Sequence, residues 1–303
     1  MNIHSFIDIG RWQGKAFFGG WRATEGGLLD VADPATDAVL ASIGLAGPAD
    51  VAAAAAEARV AQPAWAAKLP AERAAILNKA ADLLERNAEE LIGWIMRESG
   101  SIQPKAGIEI EHGAGFLRHA AAAAIEPHGL MLPSMDAGRR NFARRVPHGV
   151  VGVISPFNFP LVLSVRAIAA ALATGNVVVH KPDPRTPISG GIIIARIFEE
   201  AGLPDGVLHV LPGGAAAGEA MCADPNIAMI SFTGSAAGGS KVGEIAGRHL
   251  KKVQLELGGK NALIILDDAD VAVAASNAAW GAFLHQGQIC MSTGLVLAHE
   301  SIV

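Results

Sequence analysis

The stretch GVVGVISPFNFPLVLSVRAIAAALATGNVVVHKP, residues 149–182, decides the fold of this chain. Its length and apolar character raise the question of a membrane span. However, prolines, an asparagine and an arginine interrupt its first half, and Gly175 with Asn176 breaks it again. We therefore interpret it as a buried strand, a loop, a helix over 161–174 and a second buried strand, and we expect no membrane segment.

The same alternation of strand and helix continues through residue 248. The runs VLHVLPGG and IAMISFTGS are expected to be further strands, with helices over 186–201, 216–223 and 237–248. Continuous β-branched runs that alternate with helices are typical of a parallel sheet covered on both faces. The sequence therefore predicts an α/β fold.

The segments before this stretch follow other patterns. Short strands and turns are expected over 16–47, followed by an alanine-rich helix for which Asp50 is the predicted N-cap. One helix is predicted over 71–100 and another over 105–124. Residues 126–148, bounded by prolines, are interpreted as an exposed hairpin that stands off the main body.

Composition and charge exclude some classes of function. A net charge of −5, with 17% charged residues, argues against nucleic-acid binding, which needs a basic face. The N-terminus lacks the basic start and apolar run of a signal peptide. Two cysteines, Cys222 and Cys290, are too few for a disulfide framework, so a reducing, cytoplasmic setting is expected.

Candidate ligand-binding groups follow the predicted strands. Asn158, Lys181, Gly214 and the pair Gly234-Ser235 lie where strands end, and ligands bind beyond the carboxyl ends of parallel strands. The glycine of SFTGS and the helix that follows it suit a phosphate, although an ordinary turn explains the motif equally well. Lys181 could donate to ribose or phosphate, but a solvated surface lysine is the simpler interpretation.

Three side chains suit covalent chemistry, each with a structural alternative. Asn158, between two prolines, can hold a loop together or donate to an oxyanion, and taken alone the structural role is favoured. Glu256, before a glycine pair, can act as a general base in an apolar pocket, or it can cap a helix or pair with a lysine. Cys290 follows a glycine and a glutamine that open the backbone beside it, whereas Cys222 is interpreted as buried and inert. Zinc-like ligand spacing is lacking, so no metal is expected.

The chain resembles the aldehyde dehydrogenase superfamily through six motifs that occur along it in the following order: PFNFP, GNVVVHKP, GLPDGVLHVLPGG, SFTGS, LELGGKN and GQIC. Each motif is weak alone, and the specificity lies in the set, which spans the whole chain. Within the superfamily, KPDPRT and FLHQGQICM are most similar to benzaldehyde dehydrogenases, with vanillin-type enzymes second.

This resemblance implies a mechanism. The Cys290 thiolate would attack the carbonyl of an aldehyde, with an aromatic one expected, and the Asn158 amide and the Cys290 N–H would hold the oxyanion. Hydride would pass to NAD(P)+, and Glu256 would activate the water that hydrolyses the thioester to a carboxylic acid.

The resemblance also implies an organisation. It gives a Rossmann-like dinucleotide-binding domain over 1–125 and 149–257, an oligomerisation hairpin over 126–148, and the start of a second α/β, catalytic domain over 258–303. A homodimer or homotetramer is expected of the full-length family. Cofactor contacts are expected from Ser155, Phe157, Lys181, Gly214, Phe232, Gly234, Ser235 and Leu257.

NAD is the expected cofactor, and NADP is a second candidate. Members that prefer NAD usually carry a glutamate three residues after the ribose-binding lysine, where this chain has Pro184. A carboxylate there would repel a 2′-phosphate, whereas Arg185 could attract one.

The chain departs from the family pattern at three points. It stops at Val303, thirteen residues after Cys290, so a C-terminally truncated form is expected, with exposed apolar surface and residues 259–303 unable to hold Cys290 in register. Leu295 and Ala167 replace an arginine and a lysine that relatives carry. Two alternatives therefore stay open, a catalytically inactive dinucleotide-binding remnant and a cysteine-dependent esterase.

Overall fold

The computed structural model of the protein describes residues 5–303, which contain thirteen strands and ten α-helices. The strands are β1 (Ala16–Phe17), β2 (Trp21–Arg22), β3 (Leu28–Ala32), β4 (Val39–Gly44), β5 (Gly129–Leu132), β6 (Asn141–Arg144), β7 (Val150–Ile154), β8 (Val177–Lys181), β9 (Leu208–Val210), β10 (Ile227–Gly234), β11 (Lys252–Leu257), β12 (Asn261–Ile265) and β13 (Thr293–Ala298). The helices are α1 (Ile9–Trp12), α2 (Pro48–Ala67), α3 (Pro70–Arg86), α4 (Ala88–Ser99), α5 (Gln103–Ala124), α6 (Pro160–Ala173), α7 (Ile193–Ala201), α8 (Ala215–Ala223), α9 (Ala236–Arg248) and α10 (Val271–Phe283). A π-helical turn, Ile188–Ile192, precedes α7, and short 3-10 turns cover Leu284–Gly287 and Glu300–Ile302.

Seven strands form the central sheet, in the order β11-β10-β7-β8-β9-β1-β2. The strands from β11 to β9 are parallel, and β1 and β2 extend the sheet in antiparallel orientation. Strands β7, β8 and β9 are buried along their whole length, as expected for continuous β-branched runs in a parallel sheet. The predicted α/β fold with a parallel sheet is confirmed.

The direction of the strand order reverses between β7 and β10. From β7 the chain passes through α6 to β8 and through α7 to β9, then returns through α8 to β10 and through α9 to β11. Because parallel crossovers are right-handed, α6 and α7 cover one face of the sheet and α8 and α9 the other. The reversal opens a crevice beyond the carboxyl ends of β7 and β10, where ligands bind in such sheets.

Residues 149–182 form β7, a loop, α6 and β8, in agreement with the interpretation of this stretch. Helix α6 contacts β7, β8 and α5, and it buries an apolar stripe at helical spacing: Leu161, Val165, Ile168 and Leu172. Of the helices within residues 5–303, none is long and apolar enough to cross a membrane.

Asp50 is not the N-cap of the alanine-rich helix, so that prediction was wrong. Helix α2 begins three residues earlier than expected, at Pro48, with Gly47 as its N-cap. Proline suits the first helical turn because a backbone N–H, which proline lacks, would find no hydrogen-bond partner there. The Asp50 carboxylate instead accepts hydrogen bonds from the backbone N–H groups of Gly47, at 2.9 Å, and Glu25, at 3.0 Å.

The single helix predicted over 71–100 is in fact two helices, α3 and α4, which meet at Asn87. The Asn87 side-chain amide donates to the carbonyl of Leu83 at 2.7 Å. An asparagine that bonds to the backbone competes with continuation of a helix, which explains the break. Gly100, with φ of 65°, ends α4 in the left-handed conformation.

Three two-stranded sheets lie outside the central sheet within residues 5–303, and the first is the antiparallel pair of β3 and β4. The hairpin predicted over 126–148 contains the antiparallel pair β5 and β6, whose side chains Leu130, Met131 and Phe142 are exposed. Strands β12 and β13 form a separate parallel pair joined through α10, which has no buried residue. The division of the chain into domains stays a prediction.

Candidate active site

A cleft of about 900 Å³ lies at the reversal of strand order. All the residues predicted for catalysis or cofactor binding line it: Ser155, Phe157, Asn158, Lys181, Gly214, Phe232, Gly234, Ser235, Glu256, Leu257 and Cys290. These residues come from the loop after β7, from β8, β10 and β11, from the N-caps of α8 and α9, and from the loop after α10, so only the tertiary fold brings them together.

Asn158 links the loop after β7 to the loop that carries Cys290. Its Nδ2 donates to the carbonyl oxygen of Gln288 at 2.7 Å. The Oδ1 of the same amide is buried and has no hydrogen-bond partner among the described residues. The amide group is therefore bound to a residue two positions before Cys290, and it lines the same cleft as that cysteine.

The two cysteines lie in opposite environments. Cys290 is exposed, whereas Cys222 is buried in α8. Burial raises the pKa of Cys222 to about 11, which keeps its thiol protonated and unreactive. Of the two, only Cys290 is accessible to a ligand in the cleft.

Hydrogen bonds hold the backbone around Cys290 in place. The side-chain amide of Asn261 donates to the carbonyl oxygens of Cys290, at 2.9 Å, and Ser292, at 3.1 Å. Together with the bond between Asn158 and Gln288, these contacts fix the loop at the cleft. The expectation that residues 259–303 could not hold Cys290 in register stays a prediction, since α10 in the same segment has no buried residue.

The backbone just before Cys290 has an unusual conformation. His285, Gln286 and Gly287 have φ values of 48°, 55° and 75°. Glycine adopts this left-handed region readily, but the other two residues are strained in it by roughly 1–3 kcal/mol each. Such strain concentrates at functional sites, where the surrounding packing holds it.

Glu256 does not lie in an apolar pocket, contrary to expectation. It is exposed near the end of the edge strand β11, where it pairs in register with Thr233 of β10. Within residues 5–303 it forms no ion pair with Lys251, Lys252 or Lys260, and its position in a strand excludes a helix cap. Its carboxylate is thus accessible at the rim of the cleft.

Lys181 is buried rather than solvated at the surface, so the simpler interpretation of this residue was wrong. Its Nζ donates to the carbonyl oxygen of Gly213 at 2.8 Å. Burial lowers the pKa of Lys181. The ammonium group is held at the end of β8, beside the turn that leads into α8.

Two helices begin at the cleft. Gly214 precedes α8, and Ser235 is the N-cap of α9, where its hydroxyl accepts from the N–H of Gly238 at 3.1 Å. Helix N-termini favour anions. A Cβ on Gly234 would lie 2.6 Å from the ring of Phe232, so only glycine fits at this turn without displacing the ring.

Ser155 and Phe157 use their side chains within the protein. The hydroxyl of Ser155 lies 2.6 Å from that of Ser164, in the core. The guanidinium of Arg185 lies 3.7 Å from the centroid of the Phe157 ring. Asp183 binds the same guanidinium through two hydrogen bonds of 2.8 and 2.9 Å. The pairing of Arg185 with Asp183 was not predicted.

Sequence reasoning also missed Asn261 and Gln288 as parts of the site. Asn261 is the last residue of LELGGKN, and Gln288 lies within GQIC, so both belong to motifs already singled out. Their roles depend on backbone carbonyls, which no side-chain pattern reveals.

The fold and the cleft define a doubly wound α/β protein with an accessible cysteine at a ligand-binding crevice. A sequence model of the aldehyde dehydrogenase family matches residues 21–303, and the chain belongs to this family. The chain is 56% identical over 298 residues to a vanillin dehydrogenase of Amycolatopsis sp., covering 98% of the chain and 61% of that protein. It is 51% identical over 295 residues to a benzaldehyde dehydrogenase [NAD(+)] of Pseudomonas putida, covering 96% of the chain and 60% of that protein.

A solved structure gives the same result. The crystal structure of an NAD-dependent benzaldehyde dehydrogenase from Corynebacterium glutamicum superposes with a TM-score of 0.90 at 45% identity, over 95% of this chain and 64% of that one. The resemblance to this family is confirmed. The chain spans about 60% of the length of the curated relatives it matches.

Proposed function

We propose that this chain supplies the nucleophile, the oxyanion donor and the cofactor cleft of an NAD(P)-dependent dehydrogenase that oxidises an aromatic aldehyde to the carboxylic acid. The observation that carries the proposal is the hydrogen bond from Asn158 to Gln288, which places an amide donor beside the loop of an exposed cysteine. Relatives named for vanillin and benzaldehyde support the aromatic substrate.

The cleft suits a dinucleotide. The N-termini of α8 and α9 offer backbone N–H groups to a pyrophosphate, and Gly234 leaves room for close approach. Lys181, at the end of β8, can donate to ribose hydroxyls once it exchanges the Gly213 carbonyl for them. When bound, NAD(P)+ supplies the acceptor for the hydride that leaves the substrate carbon.

Side chains of this protein carry out the other steps of the proposed reaction. The Cys290 thiolate adds to the aldehyde carbon, and the carbonyl oxygen takes up the negative charge. The Asn158 amide and the Cys290 N–H stabilise that oxyanion, so Asn158 must exchange the Gln288 carbonyl for the substrate oxygen. After oxidation to the thioester, Glu256 takes a proton from the attacking water, and Cys290 leaves as the acid forms.

We also propose that NAD is used and that NADP is accepted. Pro184 places no carboxylate where a 2′-phosphate would lie, and the charge of Arg185 is offset by Asp183. In addition, we propose a reducing, cytoplasmic setting, because the exposed Cys290 thiol must stay free. The exposed hairpin of β5 and β6 suits an interface with a second copy of the chain.

The test is NADH formation by the purified chain with benzaldehyde or vanillin. Wild type and Cys222→Ser are expected to be active and Cys290→Ser inactive. NAD binding without NADH formation would instead support an inactive dinucleotide-binding remnant. Hydrolysis of an activated ester without NAD, and no oxidation of aldehyde with it, would support an esterase.

A further inference from the structure

Phe159, the residue after Asn158, connects two parts of the protein that the sequence does not bring together. The Nζ of Lys105, in α5, lies 4.6 Å from the centroid of the Phe159 ring. The imidazole of His285, in the loop that leads to Cys290, meets the same ring edge to face, with centroids 5.7 Å apart. The ring is thus packed between a buried cation and the cysteine loop.

The cation on one side of the ring is firmly held. Lys105 is fully buried and pairs with Glu109 one turn later in α5, with Nζ and Oε1 at 2.5 Å. The other oxygen of Glu109 accepts from the N–H groups of Leu161, at 2.9 Å, and Val162, at 3.2 Å, in the first turn of α6. Since Phe159 is the N-cap of α6, Lys105 and Glu109 hold both the ring and the helix that follows it.

The histidine on the other side is also buried, and neither ring nitrogen has a hydrogen-bond partner among residues 5–303. Burial, and then Lys105, lower the pKa of His285 to about 4, so the ring is uncharged near neutral pH. His285 and Gln286 keep their strained, left-handed backbone only if the surroundings hold them. The contact with Phe159 anchors this strained turn from its buried side.

We infer that Phe159 is a positioning residue, which fixes the separation between the Asn158 amide and the Cys290 loop through its packing between Lys105 and His285. The inference rests on the proposed aldehyde oxidation. Phe159 acts through its sequence neighbour Asn158 on one side and through the loop of residues 285–290 on the other. At the cleft, the hydrogen bond from Asn158 to Gln288 links the same two loops directly.

The test compares Phe159→Leu with Phe198→Leu in the whole chain. Phe198 is a core residue of α7, so its substitution removes a buried ring without touching the cluster. The first readout is protection of Cys290 from iodoacetamide by benzaldehyde. Benzaldehyde protects Cys290 because the thiol adds reversibly to the aldehyde. A sulfur–carbon bond forms as the thiol proton passes to the carbonyl oxygen, and Asn158 stabilises the adduct.

For Phe159→Leu we expect protection to weaken about tenfold, which is less than the ~10²–10³-fold effect of removing an oxyanion donor, because the Asn158 amide is displaced but still present. Alkylation of Cys290 without aldehyde should change little, and Cys222 should stay unreactive, which shows that the fold is intact. Phe198→Leu should keep wild-type protection. Wild-type protection in Phe159→Leu would overturn the inference.

Hydrogen–deuterium exchange provides the second readout, and it does not depend on aldehyde chemistry. Phe159→Leu and the uncharged double variant Lys105→Met/Glu109→Gln should speed exchange in residues 284–290, with β7 and β8 unchanged. The double variant avoids an unpaired buried charge. Unchanged exchange in residues 284–290 would overturn the inference. If benzaldehyde fails to protect the wild-type chain, the proposed function fails, while exchange still decides the role of Phe159.

Discussion

The side-chain amide of Asn158 donates to the backbone carbonyl of Gln288 across 2.7 Å, between residues 130 positions apart. Each belongs to a loop that leaves a different part of the fold, one after β7 and the other after α10. In the proposed reaction, a donor already held by a backbone carbonyl is oriented before substrate arrives, so little reorganisation would be needed for an oxyanion to replace that carbonyl.

Replacement of Asn158 by alanine should therefore affect chemistry more than cofactor binding. We expect kcat for benzaldehyde oxidation to fall by ~10²–10³-fold, as on removal of one oxyanion-hole donor. The dissociation constant for NAD should change little, because Lys181 and the helix N-termini remain. Steady-state kinetics and NAD titration measure the two effects. A variant with unchanged kcat would exclude Asn158 as the oxyanion donor.

The two cysteines should differ sharply in alkylation. At about pH 8, iodoacetamide should modify Cys290 and leave Cys222 intact, because Cys222 is buried and its pKa is raised to about 11. Peptide mass spectrometry follows each site separately. In denaturant both should react, which provides the control. Modification of Cys222 at the rate of Cys290 in the native protein would contradict the described packing of α8.

The strand pattern predicted the fold because the buried strands β7 and β8 are rich in β-branched residues, which the local sequence reveals. The break at Asn87 was missed because it depends on one side chain competing for a carbonyl, within a pattern that stays helical on both sides. Helix α2 began earlier than expected because Pro48 suits the first helical turn and Asp50 bonds inward to Gly47.

The candidate site, like the fold, could be predicted only in part from the sequence. Motifs indicated which residues line the cleft, but not their exposure or partners. Lys105 and Glu109 are spaced like an ordinary surface ion pair, and only the packing of α5 against α6 shows that they are buried. The exposure of Glu256 depends on its place in an edge strand, which sequence order does not reveal.

Buried histidines should make the protein less stable in acid. Burial lowers the pKa of His180 and of His209 from 6.5 to about 4. As the pH falls from about 6.5 to about 4, the unfolded chain therefore takes up protons that the native state does not, and the free energy of unfolding decreases. By about pH 5 the loss is on the order of 2 kcal/mol for each histidine.

Urea denaturation at about pH 7 and about pH 5 measures this loss. His209→Gln should lose less stability between the two pH values than wild type, because one of the three histidines with a lowered pKa, His180, His209 and His285, is gone. His119→Gln, at an exposed position of α5, is the matched control and should behave as wild type. An equal loss in wild type and His209→Gln would show that His209 does not contribute.

The pair of Asp183 and Arg185 should set the balance between NAD and NADP. Arg185 stacks on Phe157 at the cleft, but Asp183 holds its guanidinium through two hydrogen bonds and offsets its charge. Asp183→Asn would leave that charge available to a 2′-phosphate. Because Arg185 is largely exposed, we expect a modest gain of about fivefold in NADP affinity, with NAD affinity unchanged.

Isothermal titration with each cofactor measures the two dissociation constants. Arg185→Ala should weaken NADP binding in the wild-type background and remove the gain in the Asp183→Asn background. Raising the salt concentration should reduce the gain, since the interaction is between exposed charges. If Asp183→Asn changes the affinities for NAD and NADP by the same factor, then the pair positions Phe157 and does not discriminate between the cofactors.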